Sequence, residues 1–228
     1  MPERQALAGR KGTAILLMVV SAGLLFATVP EAISEASAVL AALRPIPVRS
    51  TAIAERDQLP VTSYISKDEY FRSCLDVPKS LEGLLRPPAE RTRLLHACRD
   101  MARASQHEMP TYALPFLVDA DVSAALGEPF AAPLERARSL APHVHWQVDR
   151  RVMLARQQAD KLDDAGRAGF DRDLAELFGS AEGRRALAMH YLRWPDVRQR
   201  LTTMAETMPG DLQRDFLARV RQQAGGPS

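Results

Sequence analysis

Several familiar features are missing from this 228-residue chain. No G-x-S-x-G, H-E-x-x-H or Gly-rich phosphate loop occurs, which removes the usual starting points for acyl transfer, zinc-dependent hydrolysis and nucleotide chemistry. No stretch alternates apolar and polar residues, so a β-sheet has no pattern to build on. There are only two cysteines, and lysine is scarce, with 4 against 26 arginines. Charge of one sign is also lacking: of 30 basic and 28 acidic residues, three basic and one acidic lie in residues 1–11, leaving 27 of each in the remainder. A balanced surface excludes the clustered cationic excess that nucleic acid or an anionic membrane surface requires. The arginines are interleaved with acids, as in Asp149-Arg-Arg151 and Asp171-Arg-Asp173, and read as solvated helix surface with ion pairs.

What the chain does have is an uncharged apolar run, Gly12 to Pro30, directly after Arg10-Lys11. Nineteen helical residues at about 1.5 Å each span roughly 28 Å, matching a hydrocarbon core of about 30 Å. Arg4, Arg10 and Lys11 precede it and Glu31 and Glu35 follow, so the positive-inside rule puts residues 1–11 in the cytoplasm and the body across the membrane. A cleaved signal peptide ending at Ala36-Ser-Ala38 competes. The run is longer than a signal h-region and the small residues lie well past its end, which favours an uncleaved single-pass anchor. The expectation is a bacterial inner-membrane protein with a periplasmic body and the lipid bilayer contacted through residues 12–30. Cys74 and Cys98 would then lie in an oxidising compartment. A bridge between them would close a loop of about 25 residues, worth on the order of 3 kcal/mol; the alternative is two buried thiols.

The anchor helix is expected over 12–43 including an Ala-rich extension, followed by a proline-bearing linker over 44–65, an α-helical domain over 66–223 and a frayed tail over 224–228. The body is expected to be all-α. Ser66-x-x-Glu69 ahead of Tyr70 and Phe71 is a capping-box pattern. Pro87-Pro88 opens a helix with Leu94, Cys98, Met101 and Ala102 on its buried stripe. A helix over Tyr112–Leu126 is interrupted by Pro115 and closed by Gly127; another runs from Pro129 to Ala141-Pro142. A longer one is expected from about His143 or His145 to Asp163, burying Val148, Val152, Ala155, Ala159 and Leu162, with Arg150, Arg151, Arg156 and Asp160 displaced from that stripe. Further stripes are Phe170, Leu174, Leu177 and Phe178; Leu187, His190, Tyr191 and Trp194 behind a Ser180 cap; Val197, Leu201 and Met204; and Leu212, Phe216 and Val220.

Short helices with tight Pro/Gly turns imply antiparallel hairpins, assembled as a bundle or a solenoid. Helix starts near 111, 143 and 180 recur every 32 to 37 residues, and Ala125-Leu-Gly127 to Pro142 resembles the second helix of a tetratricopeptide unit, with Phe130, Leu134, Ala137 and Leu140 buried and Trp146 near the next aromatic position. The resemblance covers mainly residues 111–146. It departs from the pattern in a Gly127–Pro142 interval about two residues short and in Pro115. It implies a protein-binding scaffold and carries over no catalytic residue.

Candidate chemistry is sparse. His143-x-His145 could hold a metal but has no nameable third ligand. Cys74, His96, Cys98 and His107 are zinc-ligand types at spacings no compact zinc motif uses. His190 sits on an apolar stripe, as a packed core histidine would. Asp160, Asp163, Asp164, Asp171 and Asp173 fall at helix ends, where capping and the helix dipole account for them. No cofactor and no catalytic residue is expected. The reading is therefore a membrane-anchored periplasmic scaffold or adaptor for another envelope or inner-membrane protein, with surface-polysaccharide assembly or export as one setting and Trp146, Tyr191 and Trp194 as contact candidates. The alternative is a helical ligand-binding, metal-binding or enzymatic domain using His190, His143 or His145.

Overall fold

Residues 64–225 are described continuously in a computed structural model, together with residues 18–23 and the single positions 26, 28, 29, 32, 33, 36, 40 and 53. Every regular element among them is helical. Most of the expected 12–30 anchor lies outside the described residues, and among these no helix is long and apolar enough to cross a membrane. The tail beyond Gly225 and most of the 44–65 linker lie outside them too. Contacts divide the chain into two compact units, Met1–Leu94 and Leu95–Ser228.

In the first unit, α1 (Tyr64–Asp76) runs into a 3-10 turn (Val77–Lys79) and a short helix α2 (Leu81–Leu85). The capping-box expectation fails here: α1 is already helical at Tyr64, and Ser66 is buried within it instead of capping it. Ser80 is the cap that forms, its hydroxyl accepting from Gly83 N at 3.0 Å at the start of α2. Helix α3 (Pro88–Glu108) follows, its Pro88–Leu94 part in the first unit and the rest in the second, with proline in its first turn where no amide partner is lost. Cys74 and Cys98 are fully buried, neither is free, and both are disulfide-bonded.

In the second unit, α4 (Ala113–Leu126), α5 (Ala131–Leu140), α6 (His145–Gln157), α7 (Asp164–Gly179), α8 (Ala181–Arg193), α9 (Arg198–Thr207) and α10 (Gly210–Ala224) succeed one another through short turns. The principal packing partners are α4 with α5, α6 with α7, α8 with α10 and α7 with α8; the first two pairs are hairpins of consecutive helices, and α8 pairs with α10 across the intervening α9. First helices also touch the first helices of the next hairpin, α4 with α6 and α6 with α8, while α5 touches α7 and α7 touches α10. Each hairpin alone leaves an apolar face open, and stacking covers it with the next. The shared core runs from Ala120 and Ala124 through Val148, Val152, Phe170 and Leu177 to Leu187, Leu201 and Phe216.

Two boundaries differ from expectation. Pro115 does not interrupt its helix, because α4 starts at Ala113 and the proline falls in the first turn, where the missing N–H has no intrahelical acceptor to lose. Gly127 ends α4 at φ 76°, in the left-handed region that glycine enters without penalty. The helix expected to reach Asp163 stops at Gln157: a 3-10 turn (Ala159–Lys161) intervenes, Ala159 is exposed, and Asp163 caps α7, accepting from Gly166 N at 2.7 Å. An Asx cap at residue 163 satisfies amides of the next helix, which ends the previous one earlier than apolar spacing alone suggests.

Candidate interaction surface

Helices α6 and α8 run parallel, and polar pairs cross between them in matching order. His145 Nδ1 lies 3.9 Å from Glu182, His190 Nε2 lies 2.6 Å from Asp149 Oδ1, and Arg156 grips Asp196, just past α8, with Nε and Nη2 both at 2.9 Å. The paired geometry of Arg156 and the carboxylate is bidentate, the strongest form of such a contact. The Arg156 hydrogen bond also holds the Asp196 carboxyl below the usual aspartate range.

Aromatic rings cover the end of this face. His190 is 7% exposed and stacks on Trp194, ring centres 3.8 Å apart and planes 5° apart. The Arg156 guanidinium lies over the Trp194 ring at 4.6 Å, a cation–π contact. Tyr191 packs edge-on to Phe216 at 5.9 Å with Arg198 over its ring at the same distance. Trp194 and Tyr191 are partly buried and rest on the apolar core, whereas Trp146, at the second position of α6, is half-buried outside it. The three aromatics named from sequence thus divide into two that join core to surface and one on the rim.

The opposite helices are joined by a buried ion cluster. Arg151 of α6 has no exposed surface; its Nε and Nη2 donate to Asp173 Oδ1 at 3.0 and 2.8 Å and its Nη1 donates to Ala141 O at 3.1 Å. Arg138 of α5 donates from Nε to the other oxygen of Asp173 at 3.1 Å and also pairs with Glu135. Its Nη2 lies 3.1 Å from Asp173 Oδ2 yet makes no hydrogen bond, so that contact is charge attraction off the hydrogen-bond line. The solvated-surface expectation fails for Arg151 and Asp173, the latter 2% exposed. The signal was present: Arg151 lies three residues after Val148 and four before Ala155, and Asp173 three after Phe170 and four before Leu177, so both occupy apolar-stripe positions with opposite charge.

A cleft of about 410 Å³ opens beside this cluster, lined by Glu135, Arg138, Ser139, Pro142, Arg172, Asp173 and Glu176. Its charges are paired with one another: Arg172 donates to Glu135 at 3.2 Å, and His143 Nδ1 lies 2.9 Å from Glu176. His143 and His145 therefore go to different acids on different helices. His96 lies 2.8 Å from Arg99 Nη2, and His107 is exposed in the last turn of α3. Among the described residues no three His, Cys, Asp or Glu side chains converge as a metal site. Asp163 is a cap, Asp164 pairs with Arg167 at 2.7 Å, Asp171 pairs with Arg200 at 2.7 Å, and Asp160 is exposed.

No family model, curated protein or solved structure matches this chain. The α6–α8 face joins a partly exposed tryptophan, an arginine and a row of charge pairs. Asp149 and His190 are paired as a base and its orienting acid would be.

Proposed function

We propose that the protein is a membrane-anchored scaffold whose stacked helical hairpins dock another envelope protein on the α6–α8 face, the body lying in the periplasm. The observation that carries this reading is the Trp194–Arg156 pair at a face whose base is packed into the core. Tryptophan and arginine are the side chains most enriched where binding energy concentrates, because each combines a large apolar surface with a polar tip. Packing of each helix pair against the next supports the stacked part of the reading. The neutral, mixed-charge body favours a protein partner over nucleic acid.

The anchor part rests on the uncharged run at 12–30. The described positions Met18, Val19, Val20, Phe26 and Val29 support it: all are apolar and all are exposed, including three consecutive residues that face different sides of a helix. A helix apolar all round requires an apolar surrounding, and lipid supplies one. Protease added to intact spheroplasts tests the topology. The body is degraded from outside while a tag before residue 12 survives; survival of the body would refute the periplasmic assignment.

A second reading takes the Asp149–His190 pair as part of a ligand or catalytic site. It predicts that His190→Asn abolishes function in a folded chain that still captures its partner.

A further inference from the structure

Helix α2 (Leu81–Leu85) presents Leu81, Leu84 and Leu85 at spacings that share one face, and they are 75%, 52% and 75% exposed. Three leucines so open on five residues are out of proportion to a soluble surface, where large apolar side chains appear singly. The helix is held firmly in place beneath them. Ser80 caps its first turn, Arg86 ends it, and the Arg86 guanidinium reaches Glu82 and Glu90 at 3.4 Å each, so the one acid within α2 is neutralised. Tyr64 and Ile65, at the start of α1, are also exposed.

We propose that α2 rests on the outer surface of the membrane, with Leu81, Leu84 and Leu85 inserted at the boundary between headgroups and acyl chains. This rests on the anchor reading above. The argument for lipid as the occupant is proximity. An anchor ending at Pro30 leaves residues 31–63 before Tyr64, a tether of at most roughly 120 Å, so the bilayer is always within reach of α2. Three leucines alone bind a bilayer weakly, but a tether makes the event intramolecular and raises the effective concentration to the millimolar range. A protein partner enjoys no such tether. Tyr64 suits the same surroundings, since tyrosine gathers at the level of the headgroups.

The test uses the full-length chain in vesicles of phosphatidylethanolamine and phosphatidylglycerol, with Leu85→Trp as a reporter and the parent chain, with Trp146 and Trp194, as background. Flotation after an alkaline wash reports the anchor, and quenching by lipids brominated high on the acyl chain reports α2. Flotation with the added emission quenched by about half supports the proposal, and Leu81→Ser with Leu84→Ser in that background should remove the quenching. Flotation with unquenched emission overturns the proposal and leaves the anchor reading standing. That result includes a blue-shifted emission, which marks a protein partner or a second copy on α2. Failure to float overturns both.

Discussion

Arg151, with no exposed surface, donates two hydrogen bonds to one oxygen of Asp173, and Arg138 approaches the other oxygen from a different helix. One carboxylate thus joins α5, α6 and α7, tying the first two hairpins together.

Asp173→Asn leaves two buried guanidinium groups facing a neutral amide. The expected cost is about 3–5 kcal/mol, the range for breaking a buried pair from one side. Arg151→Met combined with Asp173→Leu removes the guanidinium that has no other acid and leaves Arg138 its pair with Glu135, so it should cost less than Asp173→Asn alone. Urea unfolding of the three chains checks the order.

Gly169→Ala should destabilise, against the usual gain of about 0.5–1 kcal/mol from alanine in a helix interior. A Cβ at Gly169 would lie 2.5 Å from Arg138 Cζ and 2.7 Å from its Nη2, and Arg138 is pinned by Asp173 and Glu135. In an Arg138→Ala background the same substitution should become neutral or stabilising. Thermal melts of the four chains give the coupling directly.

These residues also show where sequence reading succeeds and where it stops. Val148, Val152 and Ala155 are all fully buried, Ser180 caps α8 through Gly183 N at 2.9 Å, and Gly127 closes α4, because apolar period, side-chain oxygen and glycine each act locally. At Asp173 and Arg151 charge type argues for surface while stripe position argues for core, and position wins. Only their pairing across 22 residues makes burial tolerable, and that partnership is a property of the stack. The Asp149–His190 pair, across 41 residues, is likewise a property of the stack. His190 looked packed from its stripe, but nothing local names its acid.

Acid sensitivity follows from three carboxylates held below their usual range: Asp196 by its hydrogen bond from Arg156, Glu128 by Arg99, and Asp215 by Arg219 and then Arg184. A depressed folded value means stability that is present above the unfolded value and is lost as pH falls through the folded one. The loss therefore comes below the ordinary carboxylate range, and each share is small because the groups are solvent-screened. Arg156→Gln should move the Asp196 midpoint upward, read by carboxyl NMR titration. An unchanged midpoint would mean the bidentate pair does not persist in solution.

Trp194 and Arg156 should separate stability from recognition. Trp194→Ala removes a ring that rests on the core and stacks on His190, with an expected cost of about 2 kcal/mol, below the range of about 3–5 for a fully buried tryptophan. Arg156→Ala loses an exposed ion pair and a cation–π contact, within about 1 kcal/mol. Circular-dichroism melts of both, beside partner capture from native membranes, distinguish the roles. Arg156→Ala should stay folded and bind less.

The central claim is that the α6–α8 face docks an envelope protein, and site-specific photo-crosslinking in native membranes tests it most directly. A photoreactive residue replaces His145 or Glu182 on that face, or Glu206 of α9 as a control, in the otherwise intact full-length chain. The scaffold account predicts one discrete adduct, to the same envelope protein, from the first two positions and none from the third. No adduct from His145 and Glu182, or equal adducts from all three, would contradict it.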